Sequence, residues 1–160
     1  MDTPVYILND TNFLLSNRIY ISETTNNIIQ LPTFVGVQNN IMSSDDTNNK
    51  FILETLPTDK NIITFKSVVT TLYISTDSNT DDPRYTFDRQ IQPSPSNDPS
   101  VWFILKDEDI INNTKRFSFQ SMDNESMFLN ISLQLDPIGN GFPVILSSIK
   151  SIYQISPIAF

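Results

Sequence analysis

Three short apolar blocks recur along the chain at an even step. Phe51-Ile52-Leu53-Glu54, Trp102-Phe103-Ile104-Leu105 and Tyr153-Gln154-Ile155-Ser156 begin at residues 51, 102 and 153, a spacing of 51 both times. A second motif keeps phase with the first: Ile19-Tyr20-Ile21-Ser22, Leu72-Tyr73-Ile74-Ser75 and Met127-Phe128-Leu129-Asn130. A third precedes it, pairing Phe13 with Ser16, Phe65 with Ser67 and Phe119 with Ser121. Apolar stretches of many proteins can be aligned at some period. Three motifs in one order, three times, argue for a genuine repeat. A unit of about fifty residues that cannot bury its apolar face alone must close on its neighbours.

Between these blocks the pattern is that of strands. Apolar residues come in short alternating runs rich in Ile, Val, Phe, Tyr and Thr, broken by Asn, Asp, Ser and Pro, with almost no helical periodicity. Strands are expected over 5–8, 13–15, 18–22, 28–31, 51–56, 62–67, 71–76, 84–88, 101–106, 116–121, 126–133, 143–147 and 152–158, about a dozen in all. Three four-stranded units in 160 residues fit an all-β fold, the β-trefoil, in which a six-stranded barrel is capped by three hairpins. Closing the ring removes exposed strand edges. The expected organisation is a single β-trefoil domain over 1–160, with units roughly 1–56, 57–107 and 108–160. In this picture Phe51, Trp102 and Tyr153 take equivalent core positions, as do Tyr20, Tyr73 and Phe128. Only three glycines are present, so tight turns fall to Asn and Asp. Asn26-Asn27, Asn39-Asn40, Asn48-Asn49 and Asn112-Asn113 sit where turns are needed.

Charge and missing residue types narrow the chemistry. Eighteen acidic residues against ten basic give a net charge of −8, and Lys115-Arg116 is the nearest thing to a basic cluster. Nucleic acid is therefore not an expected partner, nor is an anionic membrane surface. No stretch approaches the roughly 20 apolar residues of a membrane helix, so no membrane insertion is expected. No basic region followed by an apolar run opens the chain, so no signal peptide is visible. The location stays open between cytosol, export by a non-classical route, and a mature form whose leader was removed. There is no Cys and no His, which removes disulfides, Ser-His and Cys-His pairs, and the commonest transition-metal ligands together. No glycine-rich phosphate loop occurs. Neither an enzyme nor a cofactor is expected.

Two segments between the strands are the candidate sites. Asp77-Ser78-Asn79-Thr80-Asp81-Asp82, with Asp88 further on, is the most site-like. Alternating oxygens at Asp77, Asn79 and Asp81 suit Ca²⁺, but the loop glycine is missing and Pro83 interrupts the run. Its plain reading is a solvated hairpin loop. Tyr85, near Asp82 and Asp88, offers the aromatic-plus-acid pair a sugar site needs. Gln92-Pro93-Ser94-Pro95-Ser96-Asn97-Asp98-Pro99 is the other segment. Its three prolines limit the entropy lost on binding, so Pro93, Ser94, Pro95 and Pro99 are candidate partner contacts. Its plain reading is a spacer. Asp107-Glu108-Asp109 reads as an exposed acidic turn.

Outside its first fifty residues the chain resembles interleukin-1-like trefoils, on motifs that run from Trp102 onward. Lys115-Arg116-Phe117-Ser118-Phe119-Gln120-Ser121, then Met127-Phe128-Leu129, then Phe142-Pro143-Val144-Ile145-Leu146 and Ile152-Tyr153-Gln154-Ile155 follow their order of residues. The likeness covers roughly the last hundred residues. It implies the fold and a ligand that acts through its loops. The sequence thus leads to a non-enzymatic trefoil that binds a protein partner, as a cytokine-like ligand or a subunit of a larger toxin or viral assembly. A carbohydrate-binding lectin and a cysteine-free protease inhibitor are the alternatives.

Overall fold

The structure, a computed structural model, describes residues 4–9, 14–16, 19–21, 28–30, 36–38, 50–68, 71–76, 85–89, 91–131 and 144–157. The described residues hold fourteen strands and no α-helix. In chain order these are β1 (Val5–Asn9), β2 (Leu14–Ser16), β3 (Ile19–Ile21), β4 (Ile28–Gln30), β5 (Gly36–Gln38), β6 (Phe51–Thr55) and β7 (Ile62–Ser67). They continue as β8 (Tyr73–Thr76), β9 (Tyr85–Arg89), β10 (Phe103–Ile111), β11 (Thr114–Ser121), β12 (Phe128–Ile131), β13 (Val144–Ser147) and β14 (Tyr153–Pro157). Of these, β5 had no counterpart in the sequence reading.

Six strands close a ring. β1 pairs with β6, β6 with β7, β7 with β10, β10 with β11, β11 with β14, and β14 returns to β1, every pairing antiparallel. Six further strands branch from this barrel in three places: β2 and β5 from β1, β8 and β9 from β7, β12 and β13 from β11. Strands β3 and β4 pair with each other. The barrel and its three branches are the threefold pattern read as hydrogen bonds.

The register corrects the phase of that pattern. Phe51 pairs with Ser67, Phe103 with Ser121 and Tyr153 with Asn9, so the third equivalent residue is Phe103, not Trp102. One step further round, Lys66 pairs with Tyr73, Gln120 with Phe128 and Leu8 with Leu14. Leu14, not Tyr20, therefore matches Tyr73 and Phe128. Ile7 takes the place that Phe65 and Phe119 hold in the other units, opposite Ile155, Leu53 and Leu105 respectively. The first unit carries aliphatic residues where the others carry aromatics.

The barrel is filled by Ile7, Phe51, Leu53, Phe65, Phe103, Phe119, Leu129, Val144 and Tyr153, all buried. Phe65 stands edge-on to both Phe103 and Phe119, with ring centroids 5.0 and 4.9 Å apart, the arrangement aromatic quadrupoles prefer. The buried Tyr153 hydroxyl donates to the Leu129 carbonyl at 3.2 Å, which satisfies the one polar atom its ring brings into the core. A second, smaller cluster lies apart from the barrel. It joins Tyr73, Val101 and Trp102, with Leu56, Ile62 and Met122 against them.

Candidate functional site

Trp102 and Phe103 are neighbours in sequence with opposite duties. Successive side chains on extended backbone point to opposite sides, so Phe103 enters the barrel core and Trp102 joins the second cluster. That cluster is the underside of the proline-rich loop. The buried Trp102 indole donates from Nε1 to the Pro93 carbonyl at 3.0 Å, across nine residues of chain. At the far end of the loop, Pro99–Val101 forms one 3₁₀ turn. Asp98 caps it, accepting on Oδ1 from the Ser100 amide at 3.2 Å and from the Ser100 hydroxyl. Met122 then donates its amide to the Trp102 carbonyl at 3.0 Å, joining the loop's exit to the end of β11.

Within the loop the Ser94 carbonyl accepts from the amides of Asn97 and Asp98, both at 3.0 Å. The Ser94 and Ser96 hydroxyls lie 3.2 Å apart. The backbone bonds turn the chain back on itself, and the prolines restrict its alternatives. Ser94, Ser96 and Asn97 stay exposed at the tip, and Ile91, at the loop's entrance, is 81% exposed. The four loop residues singled out in the sequence, Pro93, Ser94, Pro95 and Pro99, are thus brought together on one ordered element.

Of the other expected positions, Tyr85 and Asp88 fall within the described residues. Asp77, Asn79, Asp81 and Asp82, and with them the calcium reading, lie outside the described residues. Tyr85 opens β9 opposite Thr76, and Asp88 lies further along the same strand. Strand β9 pairs with β8, whose Tyr73 packs against Val101 and Trp102, so Tyr85 and the proline-rich loop belong to the same part of the fold. Among the described residues no three acidic side chains converge on a point that would hold a metal ion.

A second surface was missed in the sequence. Asp107-Glu108-Asp109, expected as a turn, lies inside β10, which runs on to Ile111. The pairing with β11 shifts register between Asp107 and Asp109, a β-bulge that accommodates Glu108. The hairpin closes through Asn112 and Asn113 with φ of 52° and 65°, both left-handed, between the paired Ile111 and Thr114. Two positive φ angles in a two-residue loop match the twist of the flanking strands, and Asn tolerates them. Arg116 grips Asp109 with two bonds, Nε to Oδ1 at 2.6 Å and a terminal nitrogen to Oδ2 at 2.8 Å, which holds the Asp109 carboxyl below its usual range. Lys150 at 2.5 Å, then Ser118 at 2.7 Å, lower the pKa of Glu108 in the same way. A shallow hollow of about 450 Å³ lies over this end of the hairpin, lined by Asp107 to Ile110, Lys115 and Arg116. The missed signal was Ile110-Ile111 directly before Asn112-Asn113, a strand end followed by turn residues.

Many solved structures share this arrangement. A designed threefold-symmetric protein, ThreeFoil, aligns with a TM-score of 0.63 at 8% identity, over 98% of this chain and 100% of its own. The chain is a β-trefoil. The Rhizoctonia solani agglutinin aligns with a TM-score of 0.63 at 14% identity, over 99% of this trefoil and 96% of the agglutinin. A mosquitocidal holotoxin aligns with a TM-score of 0.68 at 13% identity over the full chain, which spans 18% of the toxin's length. At these identities the likeness is one of fold. These comparisons do not confirm the interleukin-1-like order of residues. The sequence matches no family model and no curated protein.

Proposed function

We propose that this trefoil is a binding module without catalytic activity, and that it holds a protein partner through the proline-rich loop over residues 91–99. The observation that carries this reading is the bond from buried Trp102 to the Pro93 carbonyl. A spacer needs no such anchor. A recognition loop gains from one, because a segment already ordered gives up less entropy when it binds. The loop also displays what a protein interface uses: an exposed aliphatic residue, Ile91, beside short polar side chains at the tip.

Sugar sites are usually built on an exposed aromatic ring. Among the described residues the exposed large apolar side chains are Ile91, Ile110, Ile111 and Ile149, and every aromatic whose burial is described is buried or half-buried. This favours protein over carbohydrate. Carbohydrate remains the second reading because the agglutinin shares the fold; its residue would be Tyr85, at the start of β9.

One paired experiment separates the two. The immobilised chain is offered extracts of its source and its environment, and a glycan array in parallel. A second chain carries Ser94→Arg, Ser96→Arg and Asn97→Arg. A protein captured by the first chain and lost with the second is the expected result. Capture indifferent to the three substitutions, or a bare extract with array signal abolished by Tyr85→Ala, would overturn the protein reading.

A further inference from the structure

The far end of the β10–β11 hairpin carries a second contact surface, independent of the proline-rich loop. Residues paired across antiparallel strands share a face, as do residues two apart on one strand. Lys115 and Phe117 therefore share a face of β11. Through the pairings of Ile110 with Lys115 and of Asp107 with Phe117, Ile110 and Asp107 share that face too. The bulge makes this so; in a regular strand, positions 107 and 110 fall on opposite faces. Four residues result at the corners of a square. Asp107 and Lys115 hold one diagonal, Ile110 and half-buried Phe117 the other. Ile110 is 65% exposed. Asp107 and Lys115 are exposed as well, while the neighbouring Asp109 and Glu108 are engaged by Arg116 and Lys150.

We propose that this square is a self-complementary contact through which two copies of the chain associate about a two-fold axis. An axis along the apolar diagonal lays Ile110 on the Ile110 of the second copy. The same rotation exchanges the charged corners, so each Asp107 meets the Lys115 of the other copy. The two hairpins then cross near a right angle, one of the two ordinary ways in which sheets pack. A two-fold contact must be self-complementary, and the arrangement of charges on this square meets that condition. The bare Ile110 gives the contact an apolar centre with ion pairs at its rim, the usual anatomy of an interface. The patch is small, below the roughly 1,200 Å² of stable complexes, and both copies are acidic. The association is therefore weak, with a dissociation constant on the order of 100 μM.

Sedimentation equilibrium of the full chain, from micromolar to millimolar concentration, tests this. A reversible monomer–dimer equilibrium is expected. Asp107→Lys and Lys115→Glu each remove two symmetry-related pairs and place like charges together, so each weakens the dimer by at least about tenfold. The double exchange Asp107→Lys with Lys115→Glu restores it to within about threefold of the parent, since both pairs re-form with reversed sign. An equimolar mixture of the two single variants forms a heterodimer, because all four charges then meet opposite partners. Matching thermal unfolding of the variants shows that the fold is intact. A chain that stays monomeric at millimolar concentration overturns the proposal. So does a dimer indifferent to the single reversals, or one that the double exchange does not rescue.

Discussion

At the scale of single residues, Trp102 shows how alternation can hide. Trp102 and Phe103 are both buried, one under the loop and one in the barrel. When both faces of a segment are covered, the alternation of apolar and polar residues that reveals the inward side disappears. A step of 51 residues pointed to Trp102, and the hydrogen-bond register moved the core position one residue on. Tyr73 is a residue for which sequence supplied the burial but not the chemistry. Its hydroxyl donates to the Glu54 carboxyl across the β6–β7–β8 strands. Burial first, and then this bond and the carboxyl's charge, push the Tyr73 hydroxyl far above the ordinary value of about 10. A folded-state pKa above the unfolded one means that the native state keeps its proton where the unfolded chain has lost it. This contribution is complete below pH 10 and declines as pH rises beyond it. Tyr73→Phe should cost about 1 kcal/mol near neutral pH through the lost hydrogen bond. Its stability should then fall less steeply than the parent's above pH 10, so that the two curves converge. Urea unfolding followed by Trp102 fluorescence, repeated between pH 7 and 11, measures both.

At the scale of elements, the β10–β11 hairpin is longer than its composition suggested. Asp and Glu are poor strand formers, so Asp107-Glu108-Asp109 reads as a turn when only propensity is weighed. Three tertiary contacts outweigh that propensity. Arg116 holds Asp109 from the opposite strand, Ser118 holds Glu108 through the bulge, and Lys150 reaches Glu108 from the segment before β14. Two of these cross the hairpin and the third comes from 42 residues away, so single-residue propensity shows none of them, and the strand beyond Lys106 was not legible in the sequence. The Asn112-Asn113 turn was legible, because the backbone requirement it meets is local. The turn now gives a prediction about its element. Position 113 needs a left-handed backbone, φ 65°, and Asn-Gly is a preferred pair for this geometry. Asn113→Gly should raise stability by about 0.5 kcal/mol, a gain limited by the greater freedom of glycine in the unfolded chain. Asn113→Val forces a β-branched side chain into the same conformation and should cost about 1–2 kcal/mol. Chemical denaturation of the two variants beside the parent reads the difference. The reverse order, with valine the more stable, would mean that the hairpin closes through another turn.

At the scale of the whole molecule, the threefold order was legible in the second and third units, apart from the one-residue slip at Trp102, and misphased in the first. The aromatic residues that mark the motif are replaced there by Ile7 and Leu14 at the true positions, and Phe13 and Tyr20 drew the alignment aside. The ring closure itself could not be read from any single segment, because it joins the two ends of the chain. The barrel has three hairpin pairs: β6 with β7, β10 with β11, and β14 with β1. The first two are connected by turns, residues 56–61 and 112–113, and the third pairs strands from opposite ends of residues 1–160 with no turn between them. Five residues of β14 nevertheless pair in unbroken register with β1, from Val5 with Pro157 to Asn9 with Tyr153. If the barrel is the unit of stability, which of its three equivalent hairpins is open should matter little. A circular permutant tests this by joining Phe160 to Met1 and cutting between Thr58 and Asp59, both exposed in the β6–β7 turn. Three residues follow Pro157 and four precede Val5, more than the two to five that hairpin loops commonly use, so no added linker is required. The permutant should fold, with Trp102 fluorescence like the parent's and a stability within about 1 kcal/mol, the scale of a change in loop closure. A chain that instead ends at Ser151 lacks β14 and leaves β1 and β11 without the partners that close the ring. It should fail to unfold cooperatively. A permutant that does not fold, beside a truncated chain that does, would mean that the stability of this trefoil resides in its individual units and not in the closed barrel.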